Sequence, residues 1–133
     1  MYHGAVRRAL EQDGWTITDD PLILPFGQHN LFVDLGAEAP IAAEKEGRKI
    51  AVEVKGFAGA SDVVELERAV GQYALYGGVL AETHPERTLY LAVTLEAYAG
   101  VFRDPLGQLM IERQQLRLVV FDRGREVITR WIE

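Results

Sequence analysis

The sequence predicts an α/β fold in which a mixed β-sheet is flanked by helices. Two observations carry that expectation. Strand-like and helix-like segments alternate through the second half of the chain, which calls for parallel pairing. The first half instead holds a block of short extended segments separated by turn residues, which calls for antiparallel pairing. A third observation bounds the answer: 133 residues make one domain, residues 1–133, with no repeat, low-complexity segment or linker.

Each element follows from local pattern. In His3–Asp13, Ala5, Val6, Ala9 and Leu10 lie at helical spacing, and Gly14 is a stop signal. Trp15–Thr18 alternates and is rich in β-formers. Asp19-Asp20-Pro21 reads as a turn, Leu22–Phe26 as extended chain, and Gly27-Gln28-His29-Asn30 as a second turn. Leu31–Leu35 is a short apolar strand with Asp34 inside it, and Gly36–Pro40 is expected to break it. Ile41–Glu46 and Lys49–Lys55 flank Gly47-Arg48 and read as a β-hairpin. Asp62 followed by Glu65 is a capping-box signature that opens the longest helix, about Asp62–Leu80. Thr88–Leu95 reads as a buried strand, Glu96–Phe102 as a short helix, and Pro105 as the start of a helix reaching Gln114. Leu116–Phe121 is a further strand, Asp122–Arg125 a turn, and Val127–Ile132 a last strand.

Composition removes several classes of function. The chain has 0 Cys, so disulfides, zinc ribbons, iron–sulfur clusters and thiol nucleophiles are excluded. The longest clearly apolar stretch, Leu89–Leu95, is far short of the roughly 20 residues that span a bilayer. No signal peptide is read at the start, so a soluble cytoplasmic protein without membrane contact is expected. The net charge of −6 disfavours non-specific binding to a phosphate backbone, which depends on basic residues. A local basic patch, a divalent metal or a basic partner would offset it.

Four features fall in one order along the chain. Glu11 stands near the end of the first helix, Asp34 in a strand, Glu53-Val54-Lys55 in the next core strand, and Gln72 and Tyr76 on the long helix. Glu53 and Lys55 are two apart on a strand and share a face. Gln72 and Tyr76 are four apart on a helix and share a face. Mg²⁺ takes one or two carboxylates plus waters, so Asp34 and Glu53 are candidate ligands, with the Val54 carbonyl as a further oxygen. A lysine beside the ion can stabilise developing charge or orient an activated water, as phosphodiester hydrolysis requires. Alternating charge also suits a solvated sheet face, and Gln72 and Tyr76 also suit a packed helix with a polar edge. Asp34 tips the balance towards chemistry, because an acid between Val33 and Leu35 is costly to bury without a partner. His3, His29 and His84 show no metal-ligand spacing and read as surface residues. Trp15 and Trp131 read as core or interface residues.

Several segments together resemble the XisH family, the fdxN-element excision controlling factors of cyanobacteria. They are Asp13-Gly14-Trp15, Phe32–Glu38, Ile41–Lys45, Gly47–Lys55, Gly71-Gln72-Tyr73, Leu89–Val93 and Trp131-Ile132. The resemblance implies a restriction-endonuclease-like core of the PD-(D/E)xK type. In that pattern Asp34 matches the acid before the core strand, and Glu53-Val54-Lys55 matches the (D/E)xK element. Glu11 matches the helix-one acid and is expected to join the metal shell, while Gln72 and Tyr76 match the QxxxY element of RecB-like nucleases. One departure is Val33, where the pattern's name has proline. The resemblance further implies Mg²⁺ or Mn²⁺ as cofactor and a role in programmed DNA excision during heterocyst differentiation. It also implies a partner of the XisI family, with self-association or a hetero-complex as the expected state. The rival expectation is a non-catalytic subunit that keeps the fold and works through that partner.

Overall fold

The computed structural model describes residues 2–40 and 47–133. Their order is α1 (His3–Gln12), β1 (Thr16–Asp19), β2 (Leu22–Phe26), β3 (His29–Val33), β4 (Leu35–Pro40), β5 (Gly47–Lys55), α2 (Asp62–Thr83), β6 (Arg87–Thr94), α3 (Leu95–Ala99), α4 (Pro105–Gln114), β7 (Leu118–Asp122) and β8 (Val127–Ile132). Six strands form one mixed sheet in the order β1-β4-β5-β6-β7-β8. β5, β6 and β7 run parallel, and the outer pairs are antiparallel. β2 and β3 form a separate two-stranded ribbon. The fold is mixed α/β, as alternation in the second half of the sequence requires.

Both sheet faces are covered. Ile50 and Val52 of β5 point to the side where Val6 and Leu10 of α1 pack with Leu35, Tyr90 and Phe121. Leu91, Val93, Leu118 and Val120 point to the other side, against Leu66 and Ala69 of α2 and Phe102. The ribbon lays Leu22, Leu24 and Val33 against Val79 and Leu80 of α2 and Ala51 of β5. Each fully buried Leu or Phe in these clusters stabilises the fold by about 1.5–3 kcal/mol.

Four local expectations change. Gly36–Pro40 does not break the chain: it lies in β4, whose register pairs Leu35 with Val52 and Pro40 with Gly47. Cross-strand pairing there outweighs the weak strand preference of Gly and Pro. Gly47 and Arg48 accordingly lie within β5 rather than at a hairpin turn, and the expected arm Ile41–Glu46 lies outside the described residues. α2 is capped by Ser61, whose Oγ accepts from the Val64 N–H at 3.3 Å, so the capping residue precedes the expected Asp62. α2 also continues through Gly77-Gly78 to Thr83, because Val79 and Leu80 are held in the core with the ribbon. Among the described residues, no helix is long and apolar enough to cross a membrane.

Candidate active site

The site forms where β4 begins and β5 ends. The pairing of Leu35 with Val52 places Asp34, the residue between β3 and β4, beside Glu53. The two residues are cross-linked through the backbone. The Asp34 N–H donates to Glu53 Oε1 at 3.2 Å, and the Val54 N–H donates to Asp34 Oδ2 at 2.8 Å. Glu53 is the deepest acid among the described residues, with its side chain 8% exposed, and Lys55 Nζ lies 3.6 Å from its Oε2. Burial pushes the Glu53 carboxyl up to about 7, with the Asp34 charge as the next cause, while Lys55 pulls it down. The two carboxyl groups lie within side-chain hydrogen-bonding reach of each other.

Gln72 and Tyr76 approach from α2. Tyr76 is raised from its ordinary value, first by burial and then by the charges of Glu53 and Asp34. Gln72 lies within hydrogen-bonding reach of Tyr76. The Gln72 Oε1 is buried and has no donor among the described residues. A buried amide oxygen without a donor is costly, and a bound water would satisfy it.

α1 contributes a residue that spacing did not single out. His3 Nδ1 is 3.9 Å from Asp34 Oδ1, and its Nε2 is 2.6 Å from Asp20 Oδ1. Arg7 donates to the other oxygen of Asp20. Burial acts to raise Asp20, but the hydrogen bonds from Arg7 and His3 outweigh it and hold that carboxyl below its ordinary range. The position of His3 on the first turn of α1 could have flagged it, had the helix's packing against the Asp34 strand been known.

Glu11 is not brought to the pair. Its side chain is 48% exposed and lies 3.9 Å from Arg7 Nε. The reason is helix geometry: the eight residues from His3 to Glu11 advance about 12 Å along the axis. The first turn of α1 meets Asp34, and Glu11 stands in the last turn.

The donor set suits a hard divalent cation that keeps much of its water. Asp34 and Glu53 provide two carboxylates against one lysine, an excess of negative charge that a cation would offset. Among the described residues, no three His, Cys, Asp or Glu side chains converge into a metal centre. A fully protein-built cage, as zinc requires, is therefore the poorer fit.

The XisH protein family model matches residues 1–129. A crystal structure of an XisH family protein from Nostoc punctiforme is similar over 99% of this chain and 98% of that one, at 42% identity and a TM-score of 0.89. A crystal structure of a fdxN element excision controlling factor protein from Anabaena variabilis is similar over the same shares, at 41% identity and a TM-score of 0.89. No match is found among functionally curated proteins. With nearly the whole sequence matched and two-fifths of residues identical to each of two full-length structures, this chain belongs to the XisH family.

Proposed function

We propose that this chain supports programmed DNA excision through a metal-dependent phosphodiesterase site of the PD-(D/E)xK type. The single observation that carries the reading is the pairing of half-buried Asp34 with buried Glu53, cross-linked through the β4–β5 register, with Lys55 3.6 Å from Glu53. The topology supports the superfamily assignment. An antiparallel β4–β5 pair feeds a parallel β5-β6-β7 set, and the acid–acid–lysine group sits at the end of β5.

In this reading Asp34, Glu53 and the Val54 carbonyl hold Mg²⁺ or Mn²⁺. When bound, the ion would lower the pKa of a coordinated water and offset charge on the scissile phosphate. Lys55 orients the attacking water, which gives up a proton to bulk solvent as its oxygen forms the new bond to phosphorus. The bond from phosphorus to one ester oxygen breaks, and that oxygen leaves with a proton from solvent. Gln72 Oε1 accepts from a water in the site, and Tyr76 fixes the helix edge beside the acids. His3 flanks Asp34 Oδ1 from α1 at 3.9 Å, while Glu11 pairs with Arg7.

The test is cleavage of plasmid and linear DNA in Mg²⁺ or Mn²⁺, with and without a XisI-type partner. Cleavage by wild type and its loss in Asp34→Asn, Glu53→Gln and Lys55→Met is the expected result. Absence of cleavage under every one of these conditions overturns the catalytic reading. One observation favours the alternative, a non-catalytic subunit acting through the XisI-type partner. The −6 net charge is unsuited to a protein that grips DNA alone.

A further inference from the structure

We propose that the outer face of α2, with the β2–β3 ribbon beside it, is the interface of a two-fold symmetric dimer of this chain. Two stretches of the sequence, residues 21–33 and 69–81, contain no Asp, Glu, Lys or Arg, although 26% of the chain is charged. The fold packs these two stretches on each other through Leu22, Leu24, Val79 and Leu80, so they form one block. Their outer sides stay in solvent: Ile23 is 51% exposed, Phe32 54% and Leu75 55%. Depletion of charge around exposed large apolar residues is the composition of a buried interface core.

Two features select a second copy as the occupant. The first is electrostatic. Each copy carries −6, so two copies repel wherever their acidic surfaces meet. On this block no like charges oppose each other. The second is shape. Gly71 and Gly78 are two helical turns apart on one stripe, and a Cβ added at either meets nothing within 4 Å. Nothing within the described chain therefore requires glycine there, although alanine is the better helix former. Gly77, on the inner side, differs: a Cβ there would reach Leu89 Cδ2 at 3.9 Å. Missing side chains at 71 and 78 leave hollows that allow another backbone to come close. Leu75 stands between those hollows as a projecting knob. An antiparallel α2 from a second copy, on a two-fold axis near Leu75, sets each Leu75 against a glycine hollow of its mate. A face that carries both knob and hollow is self-complementary, as a two-fold interface must be.

The proposal is independent of the nuclease reading. Its test is sedimentation of the full chain across nanomolar to high micromolar concentration. Wild type is expected to be a dimer in the micromolar range. Leu75→Glu is expected to weaken self-association at least a hundredfold, and Phe32→Glu at least tenfold. Both positions are exposed, so circular dichroism of the resulting monomers should match wild type. Gly78→Ala separates interface from fold: it should weaken the dimer at least tenfold while raising the melting temperature of the dilute monomer. A wild type that stays monomeric overturns the proposal, as does a dimer indifferent to both Leu75→Glu and Gly78→Ala. A monomer that binds a different protein through Leu75 also overturns it and assigns the face to that partner.

Discussion

Polar clusters stand at both ends of the β5–β6 pair, and they are built on opposite principles. At the start of β5, Arg48 Nη2 donates to Tyr90 Oη at 2.8 Å and to Glu133 Oε1 at 3.1 Å, and the Tyr90 hydroxyl donates to the same carboxylate. One cation faces one anion, with the hydroxyl between them. Burial, followed by the hydrogen bond to Glu133, pushes Tyr90 up to about 12, while the bond from Tyr90 holds Glu133 low. At the other end of β5, two carboxylates face one ammonium, and the deeper acid is pushed up to about 7. The first cluster is complete within the chain. The second holds two carboxylates to one ammonium, an imbalance of the kind found at functional sites.

The strongest way to break this comparison is to supply the missing charge. Mg²⁺ or Mn²⁺ at about 100 times its dissociation constant should stabilise wild type by about 2.7 kcal/mol. For a domain of this size that is a rise in melting temperature of on the order of 8 °C. Asp34→Asn and Glu53→Gln should abolish the rise. Lys55→Met should keep it, because lysine is not a ligand, while lowering any cleavage rate by about 10²–10⁴-fold. A thermal melt series with and without metal checks all four proteins. If wild type shows no rise at millimolar metal, the incomplete cluster has no cation role.

The next effect is pH dependence in chelator. The folded-state value of Glu53 lies above its ordinary 4.5, at about 7, so the folded state holds the proton more tightly than the unfolded chain. The stability this contributes is fully present below pH 4.5 and is lost as pH rises through 7. At about 1.4 kcal/mol per unit, the loss across that window is about 2–3 kcal/mol. Denaturant melts from pH 4.5 to 8 should show it in wild type and not in Glu53→Gln. Saturating Mg²⁺ should flatten it too, since the ion favours the ionised acid.

The smallest effect concerns the complete cluster. Tyr90→Phe removes the hydroxyl but leaves Arg48 and Glu133 able to pair directly. It should cost about 1–2 kcal/mol of stability. The metal-induced rise should be unchanged, because this end of β5 lies about 17 Å from Glu53 along the strand. A Tyr90→Phe protein that lost its metal response would show the two clusters to be coupled and end the contrast between them.

The legible part of the site came from short periods. Glu53 and Lys55 face one way because a strand alternates, and Gln72 and Tyr76 face one way because a helix turns every 3.6 residues. Ile50 and Val52 could be placed on the opposite face by the same rule, and the core confirms it. What misled was local propensity used where pairing decides. Gly36, Ala39 and Pro40 look like a break until they are set beside Ala51, Arg48 and Gly47. The family resemblance points to Glu11 for the metal shell, and spacing alone leaves His3 among the surface residues. Which turn of α1 meets Asp34 depends on how α1 packs on the sheet, through Val6 and Leu10.

The sequence by itself determined the α/β class, the shared faces of the acid–lysine and Gln–Tyr pairs, and the membership that 129 matched residues carry. Those are properties of composition and of periods a few residues long, which need no knowledge of distant contacts. Only the tertiary structure decided that Asp34 and Glu53 hold each other through backbone hydrogen bonds, and that His3 reaches the pair while Glu11 does not. It alone packed the two uncharged stretches into one exposed block. These facts depend on strand register and helix docking between residues far apart in the chain. Their energies come from contacts that exist only once the chain has closed on itself.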